Sequence, residues 1–233
     1  MEPLFQVNVE CPQCDKSFIT SRVRPSFKKP YKKDSDFCSY YKEINPEYYV
    51  ARVCPQCGFA TTENFKAGLT LKQKEAFKEK IGDQWTVRQL GWERTWEDAL
   101  QSYKLALVCA QVKEEQPRII AGILHHIAWL YREKDHTELE RKFLRFALDA
   151  YILVFETEQQ DVNNARLMYI MGDLSRRLKK YSEAVKWFTR VINDKRIMDA
   201  AMIKSCREQW AITREDMLAD QAELPEEMIE EQA

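Results

Sequence analysis

Two different spacings of apolar side chains divide this chain. Over the first sixty residues the apolar positions come in short alternating or β-branched runs. Residues 6–9 and 18–23 read as strands, and the aromatic run Tyr48-Tyr49-Val50-Ala51-Arg52-Val53 predicts another. From Thr62 onward the spacing changes to three- and four-residue steps, the mark of amphipathic helices. Leu69, Leu71, Ala76, Phe77 and Ile81 line one side of a helix ending near Gly82. Trp92, Trp96, Ala99, Leu100, Tyr103, Ala106, Leu107 and Ala110 place the next helix directly after Gly91. Pro117 marks a break, and further helices are expected over 118–132, 138–156, 164–178, 182–192 and 199–216. The last stretch, 217–233, is acidic; Leu224, Met228 and Ile229 would support a short helix, with disorder the competing expectation.

The helical half repeats itself. Met168, Met171, Gly172, Tyr181, Ala184, Phe188 and Val191 follow the register of a tetratricopeptide repeat, in which small residues let two antiparallel helices approach and large ones fill the gap. Leu124, Ile127, Ala128, Tyr131, Leu144 and Ala147 give a second copy, with Glu140 where an alanine is usual. Ala99, Tyr103 and Ala106 match only the second helix of an earlier copy, and about ten extra residues separate the later two. A plain helical bundle with the same stripes is the alternative.

Cysteine spacing changes the picture of the N-terminal part. Cys11-Pro12-Gln13-Cys14 and Cys54-Pro55-Gln56-Cys57-Gly58 are near-identical knuckles, each entered or left by an expected strand. Four thiolates in two such turns form a tetrahedral sulfur site, for which zinc is the usual occupant and iron the rival. Pro12 and Pro55 stiffen the turns, and Gly58 permits a left-handed residue after the second. A closed four-sulfur site leaves no position for water, so the expected role is structural, supplying folding free energy to a region with a thin core. Cys38 reads as a packing cysteine and Cys109 and Cys206 as core; a redox-responsive Cys38 is the sharper alternative. The resulting fold class is mainly α: a small β-rich zinc ribbon followed by a tetratricopeptide-like helical-hairpin array. The expected division is 1–61 ribbon with a basic insert, 62–91 connecting helical segment, 92–216 helical domain and 217–233 tail.

Bulk composition excludes rather than selects. A net charge of −1 over 233 residues gives no global attraction to nucleic acid or anionic membrane. No run of 18 or more apolar residues occurs, so no span is expected, and the first residues lack the features of a signal peptide. A cytoplasmic location is the expectation, and seven cysteines there favour metal over disulfides. Oligomeric state is not readable. Locally, Arg22, Arg24, Lys28, Lys29, Lys32 and Lys33 form a basic loop with Phe27 and Tyr31 between them, a pattern able to meet phosphates and stack on bases. In a repeat register the first helices would present His125, Trp129, Arg132, Arg166, Tyr169, Asp173 and Arg176 along a groove. Such an arginine–aromatic set suits an acidic peptide, and the acidic tail is a candidate visitor. No phosphate loop, nucleophile elbow or His-Glu-x-x-His occurs, so no catalytic residue is assigned.

Several strings together resemble a known family. They are Cys11-Pro12-x-Cys14, Asp34-x-Asp36-Phe37, Asn45-Pro46-x-Tyr48-Tyr49 and Val53-Cys54-Pro55-x-Cys57-Gly58-Phe59-Ala60. Arg94-Thr95, the run 128–132, and Gly172 with Ala184 extend the match to about residue 215. The chain is similar to an uncharacterised bacterial family, domain of unknown function 2225, whose members are described as zinc-ribbon-like with tetratricopeptide-like helices. The resemblance implies this architecture and no activity, and Cys38 is not a position it implies. The expectation is a non-enzymatic, zinc-binding scaffold for an unidentified protein or peptide. A nucleic-acid-binding or transcription-linked ribbon factor and a redox- or metal-responsive regulator are the rivals.

Overall fold

The computed structural model describes residues 2–157, 164–223, 225 and 228. It is mainly helical with small antiparallel strand pairs at the N-terminus. Two compact units occur: one runs to Lys33 and resumes over Cys38–Glu140, and the other comprises Asp34–Phe37 and the chain from Arg141 onward.

In the first unit, β1 (Leu4–Glu10) and β2 (Ser17–Val23) pair antiparallel from Leu4↔Val23 to Glu10↔Ser17, with the first knuckle in their turn. The short strands β3 (Lys32–Lys33) and β4 (Ser39–Tyr40) form a second hairpin. β5 (Arg52–Val53) and β6 (Ala60–Thr61) hold the second knuckle. The strand expected from Tyr48 starts only at Arg52. Asn45 accepts a hydrogen bond from the Glu47 amide (3.0 Å) and Pro46 fixes the first turn position, so Pro46–Tyr49 is a 3-10 turn instead. A cap followed by proline outweighs aromatic strand preference here.

Three helices follow in this unit. α1 (Leu71–Lys80) begins with a reciprocal Thr70/Gln73 capping box. α2 (Trp96–Val112) begins with a Thr95/Asp98 box, four residues later than the apolar spacing from Trp92 implied. Trp92 is half exposed and outside the helix. α3 (Pro117–Glu133) starts on its proline. β5 and β6 pack on α2, and α2 packs on α3. Val53, Phe59, Ala60, Ala99, Tyr103, Ala106 and Cys109 are buried, and the Ala60 amide donates to the Cys109 sulfur at 3.3 Å. Arg94 is buried beside them. Its guanidinium donates to the carbonyls of Leu90 (2.5 Å), Tyr48 (2.7 Å) and Ala51 (2.6 Å), and burial pulls it down to about 10. A cation held by backbone carbonyls fixes the path of the chain at the end of the 46–49 turn and just after it.

α4 (Thr137–Thr157) crosses the division between the units. At its start Glu140, the departure from the repeat pattern, pairs with Arg132 (2.7 Å) within the first unit. In the second unit α5 (Ala165–Arg177), α6 (Tyr181–Asn193) and α7 (Ala200–Ala219) pack in succession. Gly172 of α5 lies so close to α6 that a methyl group there would sit 2.5 Å from the Phe188 ring. That is the close approach which the Gly172, Ala184 and Phe188 register predicts. Phe155 meets Trp187 edge-on at 5.1 Å. Of the tail, Met228 is buried with Val185 and Met217, while Leu224 and Ile229 lie outside the described residues. So do 158–163, where most of the extra residues between the two repeat copies fall.

Four helix ends share one device without glycine. Glu114, Asp135, Lys179 and Gln221 have φ of 55°, 55°, 61° and 56°, and the next amide in each case bonds back to the helix, as Lys180 does to the Ser175 carbonyl at 2.9 Å. No helix among the described residues is long and apolar enough to cross a membrane.

Candidate metal centre

The two knuckles have the same backbone. Cys11 and Cys54 each accept, through their carbonyls, an amide four residues on: Asp15 at 2.8 Å and Gly58 at 2.9 Å. Their own amides donate back to Lys16 (3.0 Å) and Phe59 (2.9 Å). The residue after each second cysteine is left-handed, Asp15 at φ 56° and Gly58 at φ 77°. Outer contacts brace the turns. The Gln13 side chain donates to the Lys74 carbonyl (3.0 Å), Lys74 pairs with Asp15 (3.4 Å), and the Trp85 indole donates to the Pro55 carbonyl (2.9 Å). Phe59, just beyond the second knuckle, packs edge-on against Phe77 of α1 at 5.0 Å.

All four sulfurs come together. Cys11 lies 3.6 Å from Cys57 and Cys14 lies 3.8 Å from Cys54, and the set falls within 4.8 Å of one another. A tetrahedron of sulfurs at about 2.3 Å from a central ion has edges of about 3.8 Å, so the spacing fits a four-thiolate ion. The electrostatics point the same way. Hydrogen bonds from Cys11 and Cys57 pull the Cys54 thiol down to about 2. The hydrogen bond with Cys54 pushes Cys11 up to about 12, and contacts with Cys11 and Cys54 push Cys57 up as well. One thiolate suppresses ionisation of its neighbours; a central divalent cation removes that penalty. Cys38, Cys109 and Cys206 are buried apart from this cluster, and burial pushes Cys109 and Cys206 up to about 12.

The basic loop is divided. Arg22, with Arg52, pairs with Glu63, and Arg24 lies over the Phe5 ring at 5.4 Å while donating to the Glu2 carbonyl. Lys28, Lys29, Lys32 and Lys33 are exposed. Of the expected groove residues, His125, Trp129 and Arg132 belong to α3 in the first unit. His125 is buried and its ring centroid lies 4.6 Å from that of Trp129.

Arg166, Tyr169, Asp173 and Arg176 belong to α5 in the second unit, where they meet the chain's own Asp34–Phe37. The Tyr169 hydroxyl donates to the Ser35 carbonyl (2.9 Å), and its ring lies 5.5 Å from that of Phe37. Arg166 sits 4.5 Å over the Phe37 ring. Arg177, which the sequence reading missed, donates to the Ser35 hydroxyl (2.9 Å) and pairs with buried Asp36 (3.4 Å). Asp173 is fully buried and holds both guanidiniums, Arg176 at 3.2 Å and Arg177 at 2.8 Å. Asp216 of α7 takes the other side of Arg176 at 2.8 Å. Tyr169 and Asp173 are therefore buried rather than open. The Asp34-x-Asp36-Phe37 string was the available signal for this contact, since it places acid and aromatic opposite an arginine–aromatic set.

A family model described as an uncharacterised protein conserved in bacteria, DUF2225, matches residues 4–213. The chain belongs to this family. Comparison with curated proteins and with solved structures returned no match. The family span includes both knuckles, the Asp34–Phe37 segment and α5–α6, so the four-cysteine cluster and the helical body lie within one family match.

Proposed function

We propose that this DUF2225 member is a non-enzymatic scaffold in which a structural zinc staples the N-terminal ribbon and the α5 face binds an extended acidic–aromatic peptide. The observation that carries the reading is the fit of Asp34–Phe37 to Arg166, Tyr169, Arg176 and Arg177. Two guanidiniums oriented by a buried carboxylate recognise acid and hydroxyl groups, and a tyrosine–arginine pair brackets one aromatic ring. The chain's own segment thus states the specificity of the face and competes with any partner carrying the same groups.

A fluorescent peptide of residues 32–40, titrated by anisotropy into the zinc-loaded protein, tests this. Releasing the internal segment with Asp36→Ala and Phe37→Ala raises affinity for the peptide about tenfold or more, because the internal competitor is lost. Adding Arg177→Ala then removes the gain. Equal peptide binding by wild type and the released variant, or none by either, would refute the peptide-binding role and leave the zinc site unaffected.

A further inference from the structure

The first unit contains a second, independent feature. A cavity of about 190 Å³ lies between the β3–β4 hairpin, the 46–49 turn and α3, with Tyr31, Tyr40, Tyr41 and Trp129 in its walls beside Glu47 and Glu133. Among the described residues its lining contains no lysine or arginine, and its one histidine, His126, is paired with Glu47 at 3.0 Å. We propose that this cavity is a binding site for a small N-methylated ammonium compound, held by cation–π contact with the aromatic walls and by the charge of Glu133.

Four lines of chemistry converge on that ligand class. First, the walls are those of an aromatic cage, whose ring faces attract a cation and whose bodies accept methyl groups. One ring already shows the property, since the Lys32 ammonium lies 4.6 Å from the Tyr40 ring centroid. Second, both carboxylates already accept hydrogen bonds. Glu133 takes the Tyr48 hydroxyl (2.5 Å) on one oxygen and the Asn45 amide (3.0 Å) on the other. Glu47 meets His126 at 3.0 Å, and the His126 ring stacks on Tyr103 at 5.4 Å and lies tilted against Trp129 at 4.5 Å. With a donor on each oxygen Glu133 still offers its charge, and a methylated ammonium, which donates no hydrogen bond, asks for nothing more. Third, the group of metal-ligating side chains found among the described residues, the four cysteines, shares no residue with this cavity. Fourth, the volume is below the roughly 300 Å³ at which pockets for larger ligands begin, and suits a head group of a few heavy atoms.

The test uses the full-length, zinc-loaded protein and two probes of equal shape, choline and its neutral carbon isostere 3,3-dimethylbutan-1-ol, followed by calorimetry and by the Trp129 indole resonance. Choline is expected to saturate one site and shift that resonance, with the isostere at least about tenfold weaker. Glu133→Gln and Trp129→Leu each weaken choline about tenfold while zinc content and thermal midpoint show that the fold persists. If choline and the isostere bind alike, or neither saturates, the assignment fails. Binding of a trimethyllysine peptide without binding of choline would overturn it too. The wild-type comparison alone decides the matter should a variant not fold.

Discussion

Replacing Gly58 by alanine separates two reasons for a glycine in the second knuckle. Its φ of 77° lies in the left-handed region, where a Cβ costs about 1–2 kcal/mol. Space is the second reason: the added carbon would lie 2.5 Å from two atoms of the Trp85 ring. The indole must then move, weakening its 2.9 Å hydrogen bond to the Pro55 carbonyl, worth about 1 kcal/mol, and its packing over the turn. Together these give an expected loss of about 2–4 kcal/mol. With Trp85→Ala in place only the backbone part remains, so the double variant shows a coupling of about 1–3 kcal/mol. Urea unfolding of the zinc-loaded protein measures the stabilities, and transfer of zinc to a chromogenic chelator reports on the knuckle itself. Asp15, left-handed at the matching position of the first knuckle, shows that the backbone geometry alone does not demand glycine. The steric reasoning is refuted if Gly58→Ala loses as much in the Trp85→Ala background as in wild type.

Two further outcomes follow from the sites. Purified protein is expected to carry one zinc per chain; Cys54→Ser lowers its affinity by more than the roughly 100-fold typical of outer-sphere changes, whereas Cys38→Ser keeps it, as elemental analysis and competition titration will show. Zinc retained by Cys54→Ser would overturn the four-sulfur assignment. The Glu47–His126 pair makes stability depend on pH. Burial opposes the charge on His126, but the hydrogen bond and charge of Glu47 raise it above the ordinary value; burial would raise Glu47, but His126 lowers it. The histidine contribution is therefore complete below about pH 6.5 and lost as pH rises through its raised folded value, while the glutamate contribution is complete above about 4.3 and lost as pH falls through its depressed one. The denaturation midpoint of wild type minus that of His126→Gln should be greatest near pH 6 and shrink toward pH 9, and a constant difference would count against the pair.

Local signals made most of the elements legible. Two matched Cys-Pro-Gln-Cys turns predict a four-sulfur cluster, and the four sulfurs do come within 4.8 Å of one another. Gly172 and Phe188 predict a contact through volume alone, and the helices meet there. What escaped was set by caps and by distance along the chain. Thr95 and Asn45 moved the start of α2 and replaced the strand at Tyr48, since a satisfied amide outweighs an apolar pattern at its edge. The contact of Ser35 with Tyr169 joins residues 134 apart, and no periodicity reaches so far. The walls of the aromatic cavity come from separate stretches of the chain, with Tyr31 read only as part of the basic loop and Tyr40 and Tyr41 given no element.

The left-handed residues at Glu114, Lys179 and Gln221 bear on how this chain could be improved. Each stores strain that a glycine would relieve by about 1–2 kcal/mol, against about 0.5–1 kcal/mol of added freedom in the unfolded chain. The difference favours glycine at Glu114 and Gln221, while at Lys179 the loss of its 2.8 Å pair with Asp220 offsets part of the gain; at well-separated positions such gains add. Natural sequences that need only enough stability leave such positions unoptimised. These helix ends are therefore a reserve of thermostability for engineering that leaves the sulfur cluster, the α5 face and the aromatic cavity as they are.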